Sequence, residues 1–155
     1  MIDAAIYQTD LGSWRLSIAN GTLALDDSPR SAVIVSLYTD RRANPDDELP
    51  DNSGYMGGNW NDDYPHDGSS PSPQIRPKGS RLWLLRRAKQ TNETRLRAIE
   101  YAKEALQWMI ESGRATEIII DAEWQRRGFL VMHISITLRD GTEWAEQFPF
   151  MLEAA

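Results

Sequence analysis

The stretch TNETRLRAIEYAKEALQWMIESG, residues 91–113, decides the fold class because it carries the signals of one long amphipathic helix. Thr91 suits the cap of the first turn, Glu93 places a negative charge near the positive helix end, and Gly113 suits the position after the last turn. Apolar residues recur between these limits at spacings of three and four. A helix over 91–112 is predicted with this apolar face: Leu96, Ile99, Ala102, Leu106, Met109 and Ile110, broadened by Ala98, Tyr101, Ala105 and Trp108.

Residues 117–150 follow this helix and alternate apolar with polar side chains, the period of two that is typical of strands. Turn sequences at 125–128 and 139–141 divide the region, which predicts a three-stranded antiparallel meander. Pro149 cannot donate to a ladder, so the last strand is predicted to form the sheet edge. Such an edge can accept a strand from another protein.

The region before residue 43 predicts a hairpin and a helix. Residues 1–27 contain the pair Asn20-Gly21, which favours a tight hairpin turn because both central residues must accept a positive φ. Ser28 and Pro29 suit the start of a helix. The β-branched run 33–35 would also fit a strand, but the flanking signals favour the helix.

Residues 43–78 predict a long acidic loop. The part 43–75 has no lysine or arginine, seven acidic residues, five prolines and four glycines, so it can sustain neither a helix nor a central strand. A loop of this length inside a compact domain is usually functional or disordered. Ser80 follows it and suits the cap of a short helix whose Leu82, Trp83 and Leu85 point inward.

These elements together predict the fold class α+β, in which helices pack on one face of a small antiparallel meander. The 155 residues fit one domain, 1–155, with enough chain for one hydrophobic core. The apolar content of 41% and charged content of 26% are ordinary for a folded globular protein.

Charge and composition exclude several classes of function. A net charge of −6 argues against nucleic acid as a partner, since phosphate binding needs a basic surface. The absence of cysteine excludes disulfides, zinc–thiolate sites and thiol nucleophiles. The amino terminus lacks the pattern of a signal peptide and no run is apolar enough to span a membrane, so a soluble, unexported protein is expected.

Candidate chemistry is sparse, and we expect no enzyme activity, cofactor or metal. His66 falls in the acidic loop and His133 on the face of its strand opposite the apolar residues, and a solvated role is favoured for both. Glu100 and Glu104 could pair as glycosidase carboxylates, but neighbouring Arg97 and Lys103 favour ion pairing on a wet helix face. A calcium site is a further alternative, weaker than a solvated loop because the spacing departs from an EF-hand, and its ligands would be Asp46, Asp47, Glu48 and Asp51.

The cations that bracket the acidic loop allow two interpretations. They could fold the loop back through salt bridges, or they could face carboxylates of a partner, and both could hold at once. The residues concerned are Arg41, Arg42, Arg81, Arg86 and Arg87.

Three motifs occur in this order along the chain: SAVIVSLYTDRRANPDDELPD, GYMGGNWND and GSRLWLLRRAKQTNETRLRAIEYAKEALQWMI. Through these motifs the chain resembles the Mu-like phage tail protein family named after gene product forty-six of phage Mu. The resemblance runs from Leu23 to the end of the long helix and more weakly into the C-terminal strands. It implies a structural subunit of a contractile tail baseplate, similar to lysozyme-like wedge subunits that initiate the sheath. The Glu-Pro-Arg motif of that wider superfamily is absent, because this chain has QWMIESGRA at 107–115, and its contacts do not carry over.

Partners and location are implied by the same resemblance. The expected partners are other baseplate wedge subunits, the tail sheath protein and the tube or hub, with six copies in a virion baseplate assembled in the host cytoplasm. Contacts with the wedge are expected near the loop, and contacts with the sheath along 129–138 and 143–150. The named contact residues are Arg41, Arg42, Trp60, Arg81, Trp83, Val131, His133, Trp144 and Phe148, with a core position as the favoured alternative for Trp83.

Overall fold

The computed structural model describes residues 3–8, 13–59 and 77–153, and the statements on structure below concern these residues. They fall into two compact units, residues 1–35 and 36–155. The organisation of the chain as a single domain therefore stays a prediction.

The first unit contains six short strands in its described part. They pair in three antiparallel couples, β1 with β6, β2 with β3 and β4 with β5. Asn20 and Gly21 join β4 to β5 with φ values of 51° and 77°, as a tight turn requires, and the hairpin predicted at this pair is confirmed. The strands are β1 (Asp3–Ala4), β2 (Ile6–Gln8), β3 (Trp14–Leu16), β4 (Ile18–Ala19), β5 (Thr22–Leu23) and β6 (Leu25–Asp26).

Helix α1, Arg30–Tyr38, forms where the flanking signals favoured a helix over a strand. The Ser28 hydroxyl accepts a hydrogen bond from the Arg30 amide at 3.2 Å, and the Pro29 carbonyl accepts one from the Val33 amide at 3.0 Å. The cap and the proline thus start the first turn, and the β-branched Val33 is fully buried within it.

The second unit contains the predicted meander, β7 (Ala115–Arg126), β8 (Phe129–Leu138) and β9 (Glu143–Met151), in the order β7-β8-β9. Its antiparallel register aligns Ile118, Ile136 and Trp144 in one row across the sheet. With the two helices, this sheet and the paired short strands confirm the α+β class. The finer prediction, that helices cover one face of the meander, stays a prediction.

Helix α2, Asn92–Glu111, packs against β7 and has the predicted ends. The Thr91 hydroxyl accepts from the Thr94 amide at 3.1 Å, and Gly113 follows the helix with φ +70°. The predicted apolar face was wrong at Leu96 and Ile110, which are 51% and 37% exposed. The buried face combines three alanines with larger side chains: Thr94, Ala98, Tyr101, Ala102, Ala105, Leu106 and Met109.

A 3₁₀ turn, Leu82–Leu85, is buried at all four positions, which include the three predicted to point inward, Leu82, Trp83 and Leu85. The Ser80 hydroxyl accepts from the Leu82 amide at 3.4 Å and donates to the Leu37 carbonyl, which ties this turn to the end of α1. Among the described helices, none has the length and apolarity to cross a membrane.

Candidate interaction surface

Strand β9 lies at one edge of the sheet, as predicted from Pro149, and no described strand pairs with its outer side. The Leu138 amide donates to the Thr142 carbonyl at 2.8 Å where β8 turns into β9. The backbone N–H and C=O groups of successive residues in an antiparallel strand point to opposite sides. Every second residue counted from Thr142, including Trp144 and Phe148, therefore directs its N–H and C=O toward β8. Those of Glu143, Ala145, Gln147 and Pro149 then point outward.

Pro149 occupies an outward position that needs no N–H, and its carbonyl accepts a 2.6 Å hydrogen bond from the Tyr38 hydroxyl at the end of α1. Burial, and secondarily the charge of Glu146, raise the pKa of Tyr38 well above its ordinary value, so the hydroxyl remains a donor at neutral pH. After β9 the chain stays anchored, since the Glu153 amide donates to the Arg86 carbonyl at 2.7 Å.

The expected contact residues of the sheet fall on both of its faces. Val131 is buried at 5% exposure, and Phe148 is buried at 1%. His133 lies on the face opposite Leu130, Met132, Ile134 and Ile136, as predicted, and on the same face as Val131, with its Nε2 3.1 Å from Glu123 Oε1. Trp144 is half-buried, and its ring centroid is 6.1 Å from that of Phe148. Trp144 and His133 are therefore the contact residues of this group that reach the surface.

Arg81 joins the acidic loop to α2. Its Nη1 is 2.9 Å from Asp47 Oδ1 and its Nε is 3.0 Å from Glu104 Oε2, while its guanidinium lies 4.6 Å from the centroid of the Tyr101 ring. Arg41 adds a second pair, with Nη2 3.6 Å from Glu104 Oε1. Burial opposes the charge of Arg81, but bonds to Glu104 and Asp47 outweigh it and raise its pKa. The interpretation in which arginines fold the loop back holds for this cluster.

This cluster also bears on the chemical alternatives. The Glu104 carboxylate is engaged by Arg81 and Arg41, an ion-paired arrangement, and Glu100 lies exposed on the same helix. In the loop, both oxygens of Asp47 bond to Arg81, and one also accepts from the Asn44 amide at 2.8 Å. Across the described residues, no three acidic or histidine side chains converge to hold a metal ion.

Trp83, in the 3₁₀ turn, is the residue against which the loop packs. It is buried at 3% exposure, so its position is that of a core residue. Its indole N–H donates to the Arg41 carbonyl at 2.8 Å, and the Tyr55 ring meets it edge-on at 5.3 Å between centroids. Gly57 lies against the indole with φ +66°. A cavity of about 60 Å³ opens beside these rings, lined by Pro50, Asp51, Ser53, Tyr55, Trp83, Arg86, Arg87 and Glu153.

Two further contact residues were expected near the loop. Arg42 is exposed next to Arg41, and Trp60 lies outside the described residues. The structure thus gathers Arg41, Arg81 and Trp83 at the loop and Val131, His133, Trp144 and Phe148 in the sheet. The sequence did not indicate Tyr38 or the outward backbone of Ala145, because neither carries a local signal of its long-range position.

Comparison with known proteins supplies the family. Residues 29–143 match the family described as Phage protein GP46. The chain is 42% identical over 142 residues to the Baseplate protein gp46 of Escherichia phage Mu, covering 92% of this chain and 91% of that protein. It is 33% identical over 131 residues to the Mu-like prophage FluMu protein gp46 of Haemophilus influenzae, covering 84% of each.

Proposed function

Because the chain belongs to the Phage protein GP46 family, we propose that it is the baseplate wedge subunit on which assembly of a contractile sheath begins. The broader role, a structural protein of a phage baseplate in the virion tail, follows from the phage Mu relative, which is named as a baseplate protein and aligns over nearly the whole chain. Its partners are then other baseplate components. The finer role adds the sheath protein as a partner and six copies per baseplate.

The observation that carries this proposal is the open edge of β9. Glu143, Ala145 and Gln147 direct backbone donors and acceptors outward, with no described strand opposite them. A neighbouring protein can extend the sheet there, because backbone hydrogen bonds supply affinity with little demand on its sequence. Repetition around a ring would multiply such modest contacts through avidity.

Electron microscopy of assembled tails tests the proposal. Inactivation of the gene should leave tubes without sheath, and the wild-type gene supplied in trans should restore sheathed tails. Deleting β9 would be uninformative, because Phe148 belongs to the core. Ala145→Pro removes a single outward N–H. Like Pro149, which the strand already contains, Ala145 directs its backbone groups away from β8, so a proline is tolerated there.

The matched control is Ala145→Val, which keeps the N–H and suits a strand. We expect Ala145→Pro to yield baseplates and tubes without sheath, and Ala145→Val to support normal tails. Both proteins should fold, as checked by circular dichroism. Normal sheathed tails after gene inactivation, or after Ala145→Pro, would contradict the proposed role.

The enzymatic alternative, a glycosidase acting on peptidoglycan, has a direct assay. Purified protein added to a suspension of bacterial cell wall should leave its turbidity unchanged, with a known lysozyme as positive control. Clearing that disappears in Glu104→Gln or Glu100→Gln would support the enzyme. For the calcium alternative, titration calorimetry should show no tight stoichiometric binding.

A further inference from the structure

The two edges of the sheet are closed by side chains at one end and open at the other. At the β9 edge, the Tyr38 hydroxyl occupies the Pro149 carbonyl. At the β7 edge, Arg95 of α2 places Nη1 3.1 Å from the Ala122 carbonyl. Each helix therefore supplies one polar side chain to an edge carbonyl that a partner strand would otherwise use.

Both closures lie at the same end of the sheet. Ala122 pairs with Met132, which pairs with Phe148, the residue before Pro149. The opposite end is the row of Ile118, Ile136 and Trp144 beside the β8–β9 turn. No side chain or backbone group of the described residues covers the outward backbone of Ala145 or Gln147 at this end.

We propose that Tyr38 restricts strand addition at the β9 edge to its open end, so that a partner pairs with β9 only over residues 143–147, and that Arg95 covers the corresponding part of the opposite, β7 edge. The inference rests on the proposed function, since it specifies which part of the β9 edge the partner uses. The occupant is a short extended segment of a neighbouring tail protein. It is about five residues long, because paired strands have the same rise per residue and the open part of β9 spans residues 143–147. Proteins commonly cover the exposed edges of their sheets, which prevents unwanted pairing with strands of other chains.

The chemistry of the open end describes that segment. Trp144 is half-buried beside the edge and offers apolar surface to a partner side chain on its face of the sheet. Glu143 and Gln147 are exposed on the other face, and Glu143 has no ion pair with a described residue. The segment should therefore place an apolar residue near Trp144 and a lysine or arginine near Glu143.

Cysteine-directed crosslinking tests this, because the chain contains no cysteine. Single variants Ala145→Cys and Met151→Cys are labelled with benzophenone maleimide, incorporated into tails and irradiated. Ala145 is exposed, and Met151, which lies past the closure, is 64% exposed, so both sites accept the label. A crosslink to another tail protein is expected from Ala145→Cys alone, identified by mass shift and peptide mass spectrometry.

The closure itself is tested in the Met151→Cys background. Tyr38→Ala removes the ring and the hydroxyl, and Tyr38→Phe removes the hydroxyl alone, so we expect both to allow a crosslink at Met151→Cys. Tyr55→Phe, whose hydroxyl contacts Asp40, serves as the control and should leave Met151→Cys without a crosslink. Should Tyr38→Ala fail to fold, the contrast between Ala145→Cys and Met151→Cys in the otherwise wild-type chain still decides.

The outcomes separate this inference from the proposed function. Equal crosslinking at Ala145→Cys and Met151→Cys overturns the restriction to one end but leaves strand addition at β9 intact. No crosslink from either site, together with one from Thr116→Cys on β7, overturns strand addition at β9 altogether. A crosslink to a second copy of this chain overturns the assignment of the occupant.

Discussion

The Tyr38 hydroxyl donates a 2.6 Å hydrogen bond to the carbonyl of Pro149, a residue 111 positions later in the chain. The bond joins the end of α1 to the edge strand of the sheet. Because Pro149 brings no N–H and the hydroxyl satisfies its carbonyl, the edge is closed there without a partner strand.

Tyr38→Phe removes this donor and keeps the ring. We expect the free energy of unfolding to fall by about 1–3 kcal/mol, since the partly buried carbonyl loses its partner. Urea denaturation measures the loss. The control is Tyr55→Phe, whose hydroxyl makes only a long surface contact of 3.3 Å with Asp40 and should change stability by less than about 0.5 kcal/mol. Equal effects would show that the Tyr38 bond contributes nothing particular.

Gly57→Ala tests how tightly the folded loop packs. A Cβ on Gly57 would lie 2.6 Å from the Arg41 carbonyl oxygen and 2.8 Å from Trp83 Cζ2, at a φ of +66°. Strain and overpacking together should cost about 2–4 kcal/mol in thermal or urea unfolding. Gly54→Ala is the matched control, because Gly54 has a similar φ of +74° but open space around it, and should cost about 1 kcal/mol.

The sequence was sufficient where the structural signal is local. Asn20-Gly21, the cap at Ser28, and the residues at Thr91 and Gly113 set the turn and the helix ends through contacts within a few residues. Alternation of apolar residues located the three C-terminal strands in the same way.

The contacts that define the candidate surface were beyond local pattern. Arg81 and Asp47 are 34 positions apart, and their bond depends on the path of a loop with no repeating geometry. Which arc of α2 is buried also depends on its neighbours, because Leu96 fits the spacing of the apolar residues yet faces away from them. The position of Tyr38 beside Pro149 required the docked strand and helix together.

The burial of α2 gives a second stability test. Leu106 is fully buried, so Leu106→Ala should cost about 2–5 kcal/mol through lost contacts and a residual cavity. Leu96→Ala makes the same chemical change at a position that is 51% exposed, and should cost less than about 1 kcal/mol. If urea denaturation showed comparable losses in the free energy of unfolding for both variants, Leu96 would belong to the buried face, as the spacing predicted.

Arg81→Met removes the cation that lies between Asp47 and Glu104. The cost should be about 1–3 kcal/mol, less than for a fully buried pair because water still reaches Glu104. Part of the difference from wild type should disappear at high salt, which screens the charges. The exposed turn residue Arg127 provides the control: Arg127→Met should leave the urea midpoint almost unchanged. A salt-independent loss at Arg81 would point to packing on Tyr101 as the main contribution.

Asp140 gives a prediction for pH dependence at the turn between β8 and β9. The Thr142 amide donates to Asp140 Oδ1 at 2.9 Å, and hydrogen bonds from the backbone and side chain of Thr142 lower the pKa of this carboxyl below 3.8. A carboxyl whose pKa is lower in the folded state stabilises that state above the pKa of the unfolded chain. This contribution is lost as the pH falls through the folded pKa.

Asp140→Asn keeps the shape and an oxygen acceptor but removes the charge. The variant should therefore be slightly less stable than wild type at pH 7, and the difference should vanish well below pH 3.8. Asp140→Ala also loses the acceptor, so part of its loss should remain at every pH at which the protein folds. Urea denaturation of the three proteins across this range measures both effects. A difference between wild type and Asp140→Asn that is constant with pH would mean that the turn depends on the shape of residue 140 and not on its charge.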